Sequence, residues 1–204
     1  MVQHPDDSWS DAMWAKLCDL SPAGVAERTG AAVDQAGSYR IKFLDTDYAV
    51  DPVARRISAL PDRAAGCDAE MLRLLLHYLD RGQRIEPSGR LISPLELPSG
   101  AAFYRGPHGL PTGALAVRYG NDPEGFLRAA RALGGRPTGF GDVSAELTMF
   151  PDLPVTCVVW LEDDEFPARA AFLVDSVLEY QLPLDVILAL INIVVRRMHA
   201  AAES

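Results

Sequence analysis

The chain has 204 residues, of which 49% are hydrophobic and 23% are charged. This balance is typical of a folded globular protein and excludes an intrinsically disordered one. The 19 Lys and Arg residues against 28 Asp and Glu residues give a net charge of −9. Because an acidic surface repels phosphate backbones and anionic lipids, we expect no nucleic-acid and no membrane partner.

The N-terminal residues, the apolar runs and the cysteines predict a cytoplasmic protein, and the use of Arg for every cation but Lys16 and Lys42 indicates a GC-rich bacterial source. The first residues do not show the basic and then apolar pattern of a secretory signal. The longest apolar run, residues 186–195, is shorter than the roughly 20 residues that a spanning helix needs. Cys18, Cys67 and Cys157 are scattered and odd in number, which predicts reduced thiols and neither a disulfide framework nor a zinc site.

The first segment predicts helices. Apolar residues follow Ser10 at helical spacing, and the pair Ser21-Pro22 is typical of an N-cap followed by proline at the first helical position. The alternating stretch 39–43 and the stretch 48–50 then predict a β-hairpin. We therefore divide one globular unit into a helical N-terminal arm, residues 1–37, and an α+β domain, residues 38–204.

The middle of the chain alternates helices with an irregular segment. Asp68 and Gly82 bracket a predicted helix, and residues 121–123 cap another that ends at 134–135. Between them, residues 83–113 are dense in Pro and Gly, and so long an irregular segment is more often functional than a short one. The secondary structure of residues 115–119 is ambiguous from the sequence.

The last third predicts a sheet and a buried helix. Apolar runs at 143–150, 155–161 and 168–174, separated by turn sequences, predict an antiparallel β-meander. Pro183 opens a final helix that is apolar nearly all round, which indicates burial in the core or at a subunit interface. Because no βαβ repeat occurs, the predicted fold class is α+β.

The densest polar cluster is the acidic turn at 162–165, and it has two interpretations. Asp164 and Glu165, joined by Asp142 and Asp175 at the ends of neighbouring runs, offer oxygen ligands to a hard cation or a general base. Alternatively, the turn is a solvated hairpin tip, which is the commoner role of a charge run.

Histidine and aromatic residues add a second set of predicted site residues. His108 lies on the Pro/Gly-rich segment and is the histidine best placed for ligand binding or proton transfer. Tyr104 and Trp160 flank the same loops and are predicted apolar walls of a ligand pocket. No nucleophile motif and no metal-binding motif occurs, so catalytic residues, metal and cofactor stay unassigned.

A resemblance to a known family rests on a series of short segments. They are YRIKFL (39–44) with Tyr48, LLLHYL (74–79), GRLIS (89–93), ELP (96–98), GAAFY (100–104), LGG (133–135), GD (141–142), FPDLP (150–154), WLEDDEFP (160–167), FLVD (172–175) and LP (182–183). With these segments the chain resembles domain of unknown function 3786 of bacteria and archaea, over roughly residues 20–195. The resemblance implies no established activity. Some similar proteins join this domain to cysteine-rich iron–sulfur segments in organisms with corrinoid-linked one-carbon chemistry, and the sequence here shows no such segment.

Three hypotheses follow. The first is a small-molecule or cofactor-binding accessory protein, with a pocket between the meander and residues 83–113. The second is a metal-assisted hydrolase or lyase that uses the carboxylates with His108. The third is an interaction protein that forms a homodimer through its C-terminal helix.

Overall fold

The computed structural model describes residues 5–60 and 67–202 of the chain. The helices are α1 (Pro5–Asp19), α2 (Pro22–Thr29), α3 (Ala69–Arg81), α4 (Gly100–Phe103), α5 (Thr112–Tyr119), α6 (Pro123–Ala132) and α7 (Leu184–Ala201). The strands are β1 (Ala32–Val33), β2 (Tyr39–Phe43), β3 (Thr46–Asp51), β4 (Arg56–Leu60), β5 (Leu91–Ile92), β6 (Arg136–Pro137), β7 (Val143–Phe150), β8 (Leu153–Trp160) and β9 (Arg169–Asp175). Helices and antiparallel sheets occur together, which confirms the α+β fold class.

The predicted hairpin forms the centre of a four-stranded antiparallel sheet in the order β1-β2-β3-β4. Along β2 the residues alternate between buried and exposed, so Tyr39, Ile41 and Phe43 enter the core. Strand β4 is not predicted by the sequence pattern. The turn before it contains no glycine, although Arg55 adopts a positive φ of 51° there, so the usual turn signal is missing.

The predicted meander is confirmed as β7, β8 and β9, which lie at the centre of a second sheet in the order β5-β9-β8-β7-β6. The central strand β8 is buried along nearly its whole length, because helices α5 and α6 pack on this sheet and β7 also contacts β2. Aromatic rings join the two sheets to α3. Phe150 stacks on Tyr78 with ring centroids 3.8 Å apart and meets Phe43 edge-on at 5.3 Å.

The C-terminal helix is buried within the chain. Ile191 and Val194 on α7 are fully buried, and the helix packs against α3, α5 and α6. Its apolar faces are therefore covered without a second copy of the chain. Among the helices that the structure describes, none is long and apolar enough to cross a membrane.

The N-terminal arm and the Pro/Gly-rich segment also contain regular structure. In the arm, α1 packs on α3 and β1 pairs with β2, while residues 1–4 lie outside the described residues, as do 203–204 at the other end of the predicted domain. In the segment 83–113, β5, α4 and two 3₁₀ turns interrupt the irregular chain. The ambiguous stretch 115–119 belongs to helix α5.

Candidate functional site

The structure does not bring the seven predicted site residues into one pocket. They lie at three places: Tyr104 and His108 beside α7, Asp142 and Trp160 with the turn of Asp164 and Glu165 at one end of the meander, and Asp175 at its other end. Arg169, which pairs with Trp160, and Asp175 are the first and last residues of β9. They are six steps apart along the extended strand, which at roughly 3.3 Å per step is a distance of about 20 Å.

Asp175 holds a turn together. Its side chain is 4% exposed, and its two oxygens accept hydrogen bonds from Ser88 Oγ (2.7 Å), Gly89 N (2.8 Å) and Val177 N (3.0 Å). Burial raises the pKa of this carboxyl, but the hydrogen bonds outweigh it and hold the pKa below its usual value. Asp175 thereby caps the 3₁₀ turn Ser176–Tyr180 and ties residues 88–89 to the end of β9.

The acidic turn belongs to a segment that we call the strap, residues 161–168. Asp142 Oδ2 accepts a hydrogen bond from Leu161 N at 2.8 Å, and Glu162 N donates to Gly120 O at 3.1 Å. Asp163 Oδ1 accepts from the backbone N–H groups of Glu165 (2.8 Å) and Phe166 (2.7 Å), and these bonds lower its pKa. Asp142 and Asp163 thus fix the conformation of the strap.

Between the strap and the meander lies a cavity of about 510 Å³, which we call the strap cleft. Asp142 and Trp160 line it, and the Arg169 guanidinium lies over the Trp160 ring at 4.7 Å from its centroid. Asp164 and Glu165 are exposed on the outer side of the turn and are not among its lining residues. Within residues 5–60 and 67–202, no group of three or more His, Cys, Asp or Glu residues is placed to hold a metal ion.

Gly141 allows Trp160 to pack at the strap cleft, and we expect replacement by alanine to destabilise this end of the meander. Its φ is +58°, and a Cβ would lie 2.7 Å from Val158 Cγ1 and 3.0 Å from Val159 O. We expect Gly141→Ala to lower the free energy of unfolding in urea by about 2 kcal/mol. Gly37→Ala is the control, because Gly37 has φ +83° but open space around it. Equal losses in the two variants would show that close packing at Gly141 adds nothing.

A second cavity, which we call the helical cleft, has a volume of about 470 Å³. It lies between α1, α3, the segment 103–108 and α7, and its lining includes Trp9, Glu70, Arg73, Phe103, His108, Asp185 and Asn192. Two aromatic pairs stand on its walls. Phe103 stacks on His108 with centroids 4.9 Å apart and planes within 8°, and Trp9 stacks on His77 at 5.4 Å.

The polar groups of the helical cleft are arranged in pairs. Arg73 Nη1 donates to Asp185 Oδ2 at 3.2 Å, and its guanidinium also lies over the Trp9 ring at 5.2 Å. Asn192 Nδ2 donates to Glu70 Oε1 at 3.1 Å, while Arg196 pairs with the other oxygen of Glu70. Ion pairs and hydrogen bonds therefore fix the cleft's polar side chains in position.

Two groups outside the lining, the buried Tyr104 and the half-buried His77, support the walls of the helical cleft. Tyr104 is buried, and its hydroxyl donates to Leu184 O at 3.1 Å, which attaches the segment 100–108 to the first turn of α7. Burial and the nearby carboxylate of Asp185 raise the pKa of Tyr104. Burial lowers the pKa of His77, which keeps the imidazole behind Trp9 neutral near pH 7. Tyr104 therefore positions the cleft without lining it.

Of the residues that line the helical cleft, the sequence predicts only His108 as a site residue. Trp9, Arg73 and Asp185 lie on three separate helices, and only tertiary packing brings them together. One signal was present in the sequence. Asn192 interrupts an otherwise apolar run, and a polar residue at such a position indicates a specific partner, which is Glu70.

The comparisons with known proteins identify a family and no activity. No curated protein and no solved structure matches the chain significantly. A family model described as a domain of unknown function (DUF3786) matches residues 21–197, which is most of the chain and includes α3, the segment 83–113, the strap and most of α7. The protein therefore belongs to the family of domain of unknown function 3786.

Proposed function

We propose that the protein binds a small molecule in the helical cleft. The observation that supports this most strongly is the set of aromatic rings in the lining, Trp9, Phe103 and His108, around a cavity of about 470 Å³. Ligand sites in proteins are concave, are largely lined by apolar and aromatic groups, and typically measure about 300–1,000 Å³. A few fixed polar groups, here from α3 and α7, then orient the ligand.

The pre-organisation of the cleft favours binding. Each wall ring is backed by a second ring, Trp9 by His77 and Phe103 by His108, so its orientation is restrained before a ligand arrives. The ion pair of Arg73 with Asp185 restrains the polar side in the same way. A site whose side chains are already ordered loses less conformational entropy on binding.

The strap cleft has less support as the ligand site, although two of the predicted site residues, Asp142 and Trp160, line it. Asp142 and Asp163 already accept backbone hydrogen bonds that hold the strap, and Phe166 at the rim is 65% exposed. The metal-assisted hydrolase has less support again, because His108 lies in the helical cleft while Asp142, Asp164 and Glu165 lie at the strap.

We expect the wall aromatics to determine affinity in the helical cleft. A set of planar aromatic fragments is screened by isothermal titration calorimetry, and compounds that bind are titrated again with variants. Trp9→Ala and Phe103→Ala are each expected to weaken binding about tenfold, since a buried aromatic contact contributes about 1.5 kcal/mol.

The matched control is Phe166→Ala, which removes the same side chain from the strap cleft. The dissociation constant of a fragment for this variant is expected to stay within about twofold of the value for the parent protein, because the Phe166 ring does not line the helical cleft. If Phe166→Ala weakens binding and Phe103→Ala does not, the ligand occupies the strap cleft and the proposal is wrong.

A further inference from the structure

The charges in the helical cleft are already paired, which restricts what the cleft can bind. Among its described lining residues the ionised side chains are Glu70, Arg73 and Asp185, two carboxylates against one guanidinium. Arg73 is paired with Asp185, and Glu70 is paired with Arg196. A phosphate or carboxylate group on a ligand would find the guanidinium of this lining already paired with a carboxylate. It would also be repelled by the two carboxylates of the lining and by a chain of net charge −9.

The hydrogen-bonding groups left over in the cleft include two acceptors. Asp185 uses Oδ2 for Arg73, and Asn192 uses Nδ2 for Glu70, so Asp185 Oδ1 and Asn192 Oδ1 make no hydrogen bond within the described chain. The Asn192 amide nitrogen also has a second N–H in addition to the one that it donates to Glu70. A side-chain amide presenting a donor and an acceptor together matches the edge of a nucleobase, where an amino group lies next to a ring nitrogen.

The walls add a requirement for a flat ligand. The ring planes of Phe103 and His108 are within 8° of each other, and the face of such a pair is apolar and planar. Flat π-systems stack on aromatic faces of this kind, and amino-substituted heterocycles do so without needing a charge.

We infer that the ligand of the helical cleft is a planar nitrogen heterocycle that carries amino or ring N–H donors and no phosphate. The inference rests on the proposed function, since it names the ligand class of that same cleft. The Asn192 amide forms hydrogen bonds with the donor and the acceptor on one edge of the heterocycle. Asp185 accepts a hydrogen bond from its amino group, and the Phe103 ring stacks on its face.

Four related compounds test this class: adenine, purine, adenosine and AMP, titrated calorimetrically into the whole chain at constant ionic strength. Purine lacks only the amino group, and AMP adds only a phosphate to adenosine. We expect adenine to bind at least tenfold more tightly than purine, and adenosine at least tenfold more tightly than AMP. Equal affinities for adenine and purine, or AMP binding as tightly as adenosine, would overturn the inference.

Two variants assign these preferences to side chains. Asn192→Ala is expected to weaken adenine binding while leaving purine binding within about threefold, because purine has no amino group for the amide oxygen. Asp185→Asn removes one of the two carboxylate charges that line the cleft, the one that pairs with Arg73, so the preference for adenosine over AMP is expected to fall at least fivefold. The affinity ratios of adenine to purine and of adenosine to AMP are each measured on one protein. A partial loss of folded protein would lower both affinities of a pair alike and so would not change the ratio. Unchanged ratios would overturn the residue roles.

The same titrations separate this inference from the proposed function. If none of the four compounds binds but an aromatic fragment binds in a manner that depends on Trp9 and Phe103, the ligand class is wrong and the cleft remains a binding site. If no compound of either set depends on those two rings, the proposed function itself fails.

Discussion

Replacing Ile191 by aspartate is expected to cause a large loss of stability. Ile191 is fully buried on α7, the helix that packs against α3, α5 and α6. The substitution removes a core side chain and places a carboxylate in a fully buried position, and together these effects cost at least about 4 kcal/mol. The free energy of unfolding of such a domain is about 5–15 kcal/mol, so at least roughly a quarter of it is lost, and most of it where the value lies near the lower end.

Circular dichroism during urea unfolding measures this effect. The matched control is Val117→Asp on α5, because Val117 is 90% exposed and the same change there is expected to alter the free energy of unfolding by less than about 0.5 kcal/mol. A variant Ile191→Asp that stays as stable as the parent would show that α7 is not packed as described. A folded monomer produced by this change from a dimeric parent would instead favour a homodimer through α7.

Asp175→Ala is expected to cause the second largest loss of stability. It removes three part-buried hydrogen bonds at once, those that the buried carboxylate accepts from Ser88, Gly89 and Val177. Because hydrogen bonds to a charged group are stronger than those between neutral groups, we expect a loss of about 3 kcal/mol. Asp164→Ala is the control, because Asp164 is exposed and accepts no hydrogen bond from the described chain. Equal losses in the two variants would contradict the role assigned to Asp175.

The stabilisation from Asp175 depends on pH in a predictable direction. The pKa of its carboxyl is lowered in the folded protein, so the folded state favours the ionised form. Its contribution is therefore fully present above the unfolded-state pKa of about 3.9 and declines as the pH falls through the folded-state value. The difference in unfolding free energy between the parent and Asp175→Ala should accordingly be constant from pH 7 to 5 and shrink below about pH 4. A difference that instead grows on acidification would contradict this sign.

These two residues also illustrate what the sequence can predict. The apolar pattern around Ile191 correctly predicts a buried helix, because burial on all sides leaves a pattern in one contiguous stretch. Whether another segment of the same chain or a second copy covers it depends on tertiary packing. Asp175 lies at the end of a strand, and its partners Ser88 and Gly89 are nearly 90 residues away, so its sequence neighbourhood does not distinguish a structural cap from a ligand-binding group.

The candidate site is predictable only in part for the same reason. His108 and Tyr104 stand out because they lie in a long Pro/Gly-rich segment, and the structure places both at the helical cleft. Another aromatic ring of the lining comes from Trp9 on α1, in a segment whose sequence predicts nothing beyond a helix. The acidic strap is more prominent in the sequence, yet Asp142 and Asp163 fold the strap and Asp164 and Glu165 face solvent.

Filling the helical cleft with a larger side chain tests most directly whether this cleft binds a small molecule. Ala69→Trp places a large ring in the cleft from an exposed position at the start of α3, whereas Val117→Trp places the same ring on an exposed surface. Each protein is incubated with a small-molecule extract of the source cells and examined by native mass spectrometry. We expect the parent and Val117→Trp to retain the same bound mass and Ala69→Trp to lose it. A bound mass retained equally by Ala69→Trp, or none in the parent, would contradict the proposal that this cleft binds a small molecule.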